Sequence, residues 1–326
     1  MAAPVWIRKL FPARGAEAAP GADLVFSPDF LAMIERLRLV ALKALGGGLR
    51  EGHRLGAYKG GQLEFHGHRS YSPGDDLRYL DWNSLARLGR PFIKEFAREE
   101  AGLLHLLLDA TASMRLGVPS KWTFARRVAA LFTHVALSSQ DLVYVYVFRG
   151  SGEWAQFPPA GIRSGTREYL NFLSGCRADE PRVGPGSPPA VDTLGRAVTQ
   201  FLRGRPKRGR VLLLSDFWQP EPEVVRAVSR LSSAGFDPAG IHVLAPEELQ
   251  PPVEGELRVH SIEEAGEVEL NATPDLLAGY NQALDSHRQA VQELFRRRGG
   301  NYLLESSEAS IERVLLATLR QQRWVS

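Results

Sequence analysis

An α/β fold, with a largely parallel sheet covered by helices on both faces and a small β-rich attachment on its N-terminal side, follows from three features of the sequence. Two apolar runs, Leu103–Leu108 and Val211–Leu214, have the composition of strands buried on both faces. From residue 101 onward such runs alternate with stretches of helical spacing, the pattern of a parallel sheet with crossover helices. Residues 49–100 break that pattern. They are dense in charge, glycine and aromatics, show no long period, and hold little core of their own.

In chain order, residues 1–27 are rich in Ala, Pro and Gly and read as a flexible lead-in. Ser27-Pro28 is a helix start, with Ser as N-cap and Pro at the first helical position. Phe30, Ile34, Leu37 and Ala41 then recur at helical spacing, until Gly46-Gly47-Gly48 ends the segment. After the 103–108 strand, Phe124, Val128, Leu131, Phe132 and Val135 form one stripe of a helix over 121–138. Leu142–Phe148 is a Val- and Tyr-rich strand. A helix over 167–173, a Pro/Gly loop over 177–189 and a helix over 194–202 follow. The 211–214 strand leads to a helix over 221–234 and a strand over 241–244. A hairpin or edge over 253–270, a long helix over 275–298, a strand over 302–304 and a helix over 311–321 complete the chain. The expected organisation is therefore a lead-in at 1–27, a helix and charged attachment at 28–100, and the α/β domain at 101–326.

Length and composition bound the function. At about 150 residues per domain, 326 residues make two domains or one with an attachment. Hydrophobic residues at 44% and charged residues at 24% are ordinary globular usage, which excludes fibrous and broadly disordered classes. The net charge of +3 is too small for a broad nucleic-acid footprint. Arg203–Arg210 carries five cations in eight residues and reads as a solvated helix–strand connection. A single cysteine, Cys176, excludes cysteine-rich zinc sites and fits a reducing cytoplasm. No apolar stretch reaches the roughly 18 residues a membrane span needs, and the first 21 residues lack a secretory pattern. There is no Gly-x-x-x-x-Gly-Lys-Ser/Thr loop, which argues against an ATPase.

Two acids stand at strand ends, where open α/β sheets bind ligands. Asp109 follows the first apolar run and Asp216 the second. In Asp109-Ala110-Thr111-Ala112-Ser113 a carboxylate and two hydroxyls occupy alternate positions of a tight loop, so their oxygens can face one point. Oxygen-only clusters suit a hard cation such as Mg²⁺. The same pattern also serves as an ordinary turn or N-cap.

Asp-x-Ser/Thr-x-Ser resembles the metal-ion-dependent adhesion site of von Willebrand factor A domains. The resemblance implies that Asp109, Thr111 and Ser113 touch Mg²⁺, or Mn²⁺ or Ca²⁺ in its place, with Asp216 a direct or water-mediated ligand. It also implies that a partner's carboxylate fills an open coordination position. That family supplies a further threonine three residues before a glycine. Here, counting back from Gly195 gives Asp192, with Thr193 one place late, so either residue is the candidate.

A second signature precedes the first core strand. It comprises Glu64-Phe65, then Arg69-Ser70-Tyr71-Ser72-Pro73-Gly74-Asp75-Asp76-Leu77-Arg78, then Asp81-Trp82 and Ala86-Arg87. This stretch resembles the domain-of-unknown-function family 58, over nearly the whole chain from about residue 30. The resemblance implies a Rossmann-type, von Willebrand A-like domain without known catalytic activity, associated with AAA+ ATPases of the MoxR type. Physically, the signature sets Glu64, Asp75, Asp76 and Asp81 against Arg69, Arg78, Arg87 and Lys94, a lattice whose arginine forks can fix a loop without an apolar core. Stapling the attachment is its expected role, partner binding the alternative, and Trp82 is expected to be a buried anchor.

The leading functional expectation is a cytoplasmic, non-enzymatic adaptor that works with such an ATPase on client proteins. The competing one is a metal-dependent hydrolase using Asp109, Asp216 and the Asp75/Asp76 acids. No nucleic-acid partner is expected. His66-x-His68 is read as surface polarity.

Overall fold

The computed structural model describes residues 25–46, 63–98, 102–158, 164–180, 192–251, 255–260 and 267–320. The lead-in up to residue 24 and most of the expected 177–189 loop lie outside the described residues. The chain forms two compact units, one of residues 1–45 with 103–326 and the other of residues 46–102.

The larger unit is built on six strands: β3 (Leu103–Asp109), β4 (Leu142–Phe148), β5 (Trp154–Phe157), β6 (Arg210–Ser215), β7 (Asp237–Leu244) and β10 (Tyr302–Ser306). Their order is β10-β7-β6-β3-β4-β5, parallel except for β5, which runs antiparallel to β4. Its helices are α1 (Pro28–Gly46), α3 (Lys121–Ser138), α4 (Thr166–Gly175), α5 (Thr193–Arg203), α6 (Glu221–Ser233), α7 (Pro246–Leu249), α8 (Pro274–Arg297) and α9 (Ile311–Arg320). A separate hairpin, β8 (Gly255–His260) with β9 (Glu267–Ala272), precedes α8.

The period-two alternation of β3 divides the core. Leu104, Leu106 and Leu108 pack with Phe30 and Ile34 of α1, Phe124, Val128 and Leu131 of α3, and Val314 of α9. Leu107 faces the opposite layer with Val198 and Phe201 of α5, Val224 and Val228 of α6, and Val291 and Phe295 of α8. Helices therefore cover both faces, as the sequence predicts. Among the described residues no helix is long and apolar enough to cross a membrane.

Two differences from the sequence reading have physical causes. Helix α1 belongs with the sheet unit rather than with the charged attachment, because Phe30, Ile34 and Leu37 are buried in the sheet's own core. Strand β5 and the short α7 are additions, since each is too short to carry a period.

The smaller unit pairs β1 (Leu63–Ser70) with β2 (Phe92–Arg98) antiparallel, with an irregularity between Phe65 and Gly67. Between these strands lie a 3₁₀ turn over Leu77–Tyr79 and α2 (Trp82–Leu88). Leu80 and Ile93 are its buried apolar side chains among the described residues.

His105 sits in the middle of β3 with 1% of its surface exposed. Its ring packs against Tyr144, Tyr146, Phe201 and Phe236, and Nε2 donates to the Lys207 carbonyl at 2.9 Å. Burial pushes its pKa from 6.5 down to about 4, a loss that the carbonyl only partly offsets. The neutral ring therefore stabilises the fold fully above pH 6.5, and that contribution is lost as pH falls toward 4. The two limits differ by about 3 kcal/mol. Denaturant melts of His105→Phe should show a flatter loss of stability between pH 6.5 and 4 than the native chain. Parallel profiles would contradict the assignment.

Candidate functional site

Asp109 closes β3 at its carboxyl end and is fully buried. The chain then enters a 3₁₀ turn, Ala112–Arg115, and this compact turn brings the alternate side chains back to one place. Thr111 donates to Asp109 Oδ1 through both its backbone N (3.0 Å) and its Oγ1 (2.7 Å). Thr111 Oγ1 lies 3.1 Å from Ser113 Oγ. Asp109 Oδ2 accepts from Ser215 Oγ at 2.6 Å and from Gln219 Nε2 at 3.4 Å.

Asp216, the residue after β6, arrives from the adjacent strand and is also fully buried. The turn that follows is strained: Phe217 has φ +47°, a conformation bulky residues rarely adopt. Three contacts hold it. Phe217 N donates to Ser215 Oγ at 3.0 Å, its carbonyl accepts from His287 Nε2 at 2.9 Å, and its ring packs on Phe295 and His242. Ser215 thus ties the Asp216 turn to the Asp109 carboxylate. The Ser113 hydroxyl in turn donates toward Asp216.

Two residues that the sequence reading did not single out complete the site. Lys121, the first residue of α3, is fully buried, with Nζ 2.7 Å from Asp216 Oδ2 and 2.8 Å from Glu248 Oε1. Glu248 of α7 also accepts from Trp218 Nε1 at 2.9 Å and from Ala245 N at 2.6 Å. A signal for Lys121 was present in the sequence. It lies three, four and seven residues before Phe124, Ala125 and Val128, on the buried stripe of its helix, and a lysine there needs an internal acid. Glu248 carries no comparable signal, because α7 is a single short turn.

Burial, then the neighbouring Asp216 charge, raises the Asp109 pKa from 3.8 to about 6. Burial alone would also raise Asp216, but the charge and hydrogen bond of Lys121 override it, so its carboxyl is held below the usual range. Glu248 is raised, chiefly by burial. The Lys121 ammonium stays above its ordinary pKa because its two acids outweigh the cost of burying it.

The donor set at Asp109, Thr111, Ser113 and Asp216 is oxygen-only, the kind a hard cation takes. The Asp109–Thr111 and Thr111–Ser113 oxygens are separated by 2.7 and 3.1 Å, held by their own hydrogen bonds. Asp216 and Glu248 share the Lys121 ammonium, and Asp109 is a third buried carboxyl, whose pKa the Asp216 charge helps to raise. The set is two acids with hydroxyls. Among the described residues no three His, Cys, Asp or Glu side chains gather as a metal group. Asp192 has its carboxylate on the cap of α5, where Oδ1 accepts from Gly195 N at 3.2 Å. A Cβ at position 195 would strike that carboxylate, so a larger residue there would displace the Asp192 cap. Thr193 follows, buried in the first turn of α5.

The upstream signature lies in the smaller unit. Arg69 grips Asp75 with two hydrogen bonds of 2.6 Å, and Ser72 N adds a third at 2.8 Å, so the Asp75 carboxyl is lowered to about 2. Gly74 makes this turn at φ +106°. The Tyr71 N–H donates to the Pro91 carbonyl. Asp76 caps the 3₁₀ turn and pairs with Arg78. Asp81 caps α2 through Asn83 N and also accepts from Ser84 Oγ and His68 Nε2, with Lys94 at 3.8 Å. His68 thus has a structural partner. Arg87 is exposed in the last turn of α2. The Glu64 side chain and the whole of His66 beyond its backbone lie outside the described residues. Trp82 corrects the sequence reading: it is 64% exposed. As the first residue after the Asp81 cap it starts α2, a helix with no buried residues.

The model for the family "Protein of unknown function DUF58" matches residues 67–290. The chain belongs to this family. It is 25% identical over 280 residues to the uncharacterized protein Rv1480 of Mycobacterium tuberculosis and to Mb1516 of Mycobacterium bovis, covering 85% of this chain and 84% of each relative. Among solved structures it is similar to the conserved hypothetical protein BatB from Bacteroides thetaiotaomicron, at 17% identity and a TM-score of 0.41, over 68% of this chain and all of that one. It is also similar to the SpRpn10 VWA domain, at 9% identity and a TM-score of 0.38, over 67% of this chain and 95% of that one. The matched residues span both units: the arginine–carboxylate signature lies in the smaller one and the strand-end acids in the larger one.

Ser215→Ala should cost about 1–3 kcal/mol in denaturant unfolding, because it strips a buried carboxylate and a strained turn of one shared hydroxyl. A variant as stable as the native chain would show that Ser215 is dispensable. Asp81→Ala should lower the melting temperature by removing the α2 cap and the His68 contact. The Ser84 hydrogen bond, with His68 and Lys94, holds this carboxyl down at about 2, so its contribution is present above pH 3.8 and lost as pH falls toward 2. Indistinguishable melts at pH 7 would reassign Asp81 from structure to partner binding.

Proposed function

We propose that this chain is a non-enzymatic interaction module whose Asp109–Ser113 corner holds a divalent cation, Mg²⁺ foremost and Mn²⁺ or Ca²⁺ as substitutes, and presents it to a carboxylate of a partner protein. The single observation that carries this reading is the meeting of Asp109, Thr111, Ser113 and Asp216 at adjacent strand ends, all buried, with two hydroxyls beside the two carboxyls. Asp109, Thr111 and Ser113 would hold the ion, and Asp216 would support it through the oxygen that Lys121 leaves available. Ser113 is the most exposed of the four at 8%, so a partner's carboxylate would approach from its side. The partner class is the one the sequence resemblance implies: a MoxR-type AAA+ ATPase or its client, in assembly or remodelling.

The hydrolase alternative has less support. Asp75 and Asp76 are each held by an arginine that keeps the carboxyl below its usual range, which makes them poor bases. No histidine contacts Asp109 among the described residues. The Arg203–Arg210 segment is mostly exposed and supports a solvated connection rather than a nucleic-acid site.

Calorimetry with Mg²⁺ and Mn²⁺ should show binding that disappears in Asp109→Ala. Affinity purification of the tagged chain should retain a partner in Mg²⁺ and lose it with chelator or with Asp109→Ala. No binding by the folded native chain at millimolar Mg²⁺ or Mn²⁺ would remove the cation. A partner held equally well by Asp109→Ala would move docking to the charged smaller unit.

A further inference from the structure

Lys121 stands where a lysine is least expected. It is the first residue of α3, at the positive end of the helix dipole, and it is 0% exposed. Its ammonium is retained there by Asp216 from the end of β6 and Glu248 from α7. The two acids differ in freedom. Glu248 is saturated: Oε1 takes Lys121 and Trp218, Oε2 takes Ala245 N, and its carbonyl accepts the Tyr280 hydroxyl at 2.7 Å. Asp216 gives Oδ2 to Lys121, while its Oδ1 takes a long 3.3 Å bond from Trp218 N and the Ser113 hydroxyl of the Asp109 turn also donates to this carboxylate. The ammonium therefore cancels part of the Asp216 charge from inside the protein, next to the oxygens of Asp109, Thr111 and Ser113.

We propose that Lys121 is a built-in counter-cation that sets the divalent-cation affinity of the Asp109 corner, by withholding one oxygen and part of the charge of Asp216. The proposal rests on the cation reading above and goes beyond it, by naming the residue that decides how strongly the ion is held and how much of its charge remains. An ion facing fewer uncompensated carboxylates is held less tightly and keeps more positive charge for an incoming carboxylate. Glu248 acts one step further back, because it shares the ammonium and so limits how much of that charge falls on Asp216. Both are positioning residues with no contact to the ion.

The two side chains make opposite predictions, which a purely structural role would not. Removing the ammonium in Lys121→Met leaves Asp216 uncompensated and should tighten Mn²⁺ binding by about tenfold or more. Neutralising the second acid in Glu248→Gln leaves the ammonium wholly to Asp216 and should weaken Mn²⁺ binding by several-fold. Mn²⁺ titration by calorimetry, with electron paramagnetic resonance of free Mn²⁺ as a second readout, measures both on the full chain, and Asp109→Ala serves as the non-binding control. Should Lys121→Met fail to fold, Glu248→Gln carries the test alone.

Opposite shifts support the proposal, as does Mn²⁺ binding by Lys121→Met where the native chain binds weakly. Native-like affinity in the folded variants, or a shift of both in one direction, overturns it while leaving the cation reading intact, provided that the native chain binds and Asp109→Ala does not. Absence of Mn²⁺ binding in the native chain and in both variants at millimolar concentration takes down the cation reading and this proposal together.

Discussion

The ammonium of Lys121, held between Asp216 and Glu248 at 2.7 and 2.8 Å with no access to solvent, is the interaction on which the functional end of the sheet depends. Burying a charge is costly, and it is sustained only when partners and hydrogen bonds are complete. Here the requirement binds three otherwise separate pieces: the start of α3, the turn after β6, and α7. Each piece is then fixed by its own contacts. Phe217 is locked by Ser215 and His287, Trp218 stacks on His287 at 5.3 Å, and Tyr280 of α8 reaches the Glu248 carbonyl. Removing one charge of the triad would leave the others unmatched, so these elements stand or fall together.

That arrangement explains how two carboxylates can be brought together beneath a nearly closed surface. Asp109 and Asp216 repel each other, and burial increases the penalty, as the raised pKa of Asp109 reflects. Lys121 relieves the repulsion on the Asp216 side. Ser215, Thr111 and Gln219 relieve it on the Asp109 side by hydrogen bonding. The oxygens gathered at this corner are what the proposed cation site rests on. The smaller unit works by a different rule. Arg69 and Arg78 pair with acids close by in sequence and partly exposed, shaping turns, while the buried Asp81 caps α2 and meets His68 and Lys94 from the two strands.

The strand ends, the helix stripes and the two acids were legible in the sequence because each is a local pattern. Leu103–Leu108 and Val211–Leu214 need two covered faces, and a parallel sheet has its ligand end where those runs stop, at Asp109 and Asp216. Thr111 and Ser113 were legible for the same reason, since alternate positions in a tight turn face one way. Pro73-Gly74-Asp75 announced a turn that only glycine makes easily at φ +106°.

Only the tertiary structure decided which charges meet. Lys121 and Asp216 are 95 residues apart, and Lys121 and Glu248 are 127 apart, so no local rule pairs them. The assignment of α1 to the sheet unit, the exposure of Trp82, and the use of Asp192 as a helix cap were likewise settled by what packs in three dimensions. Sequence patterns state which groups must be buried or bonded; long-range packing chooses their partners, because a charge is satisfied by whichever oppositely charged group the fold carries to it.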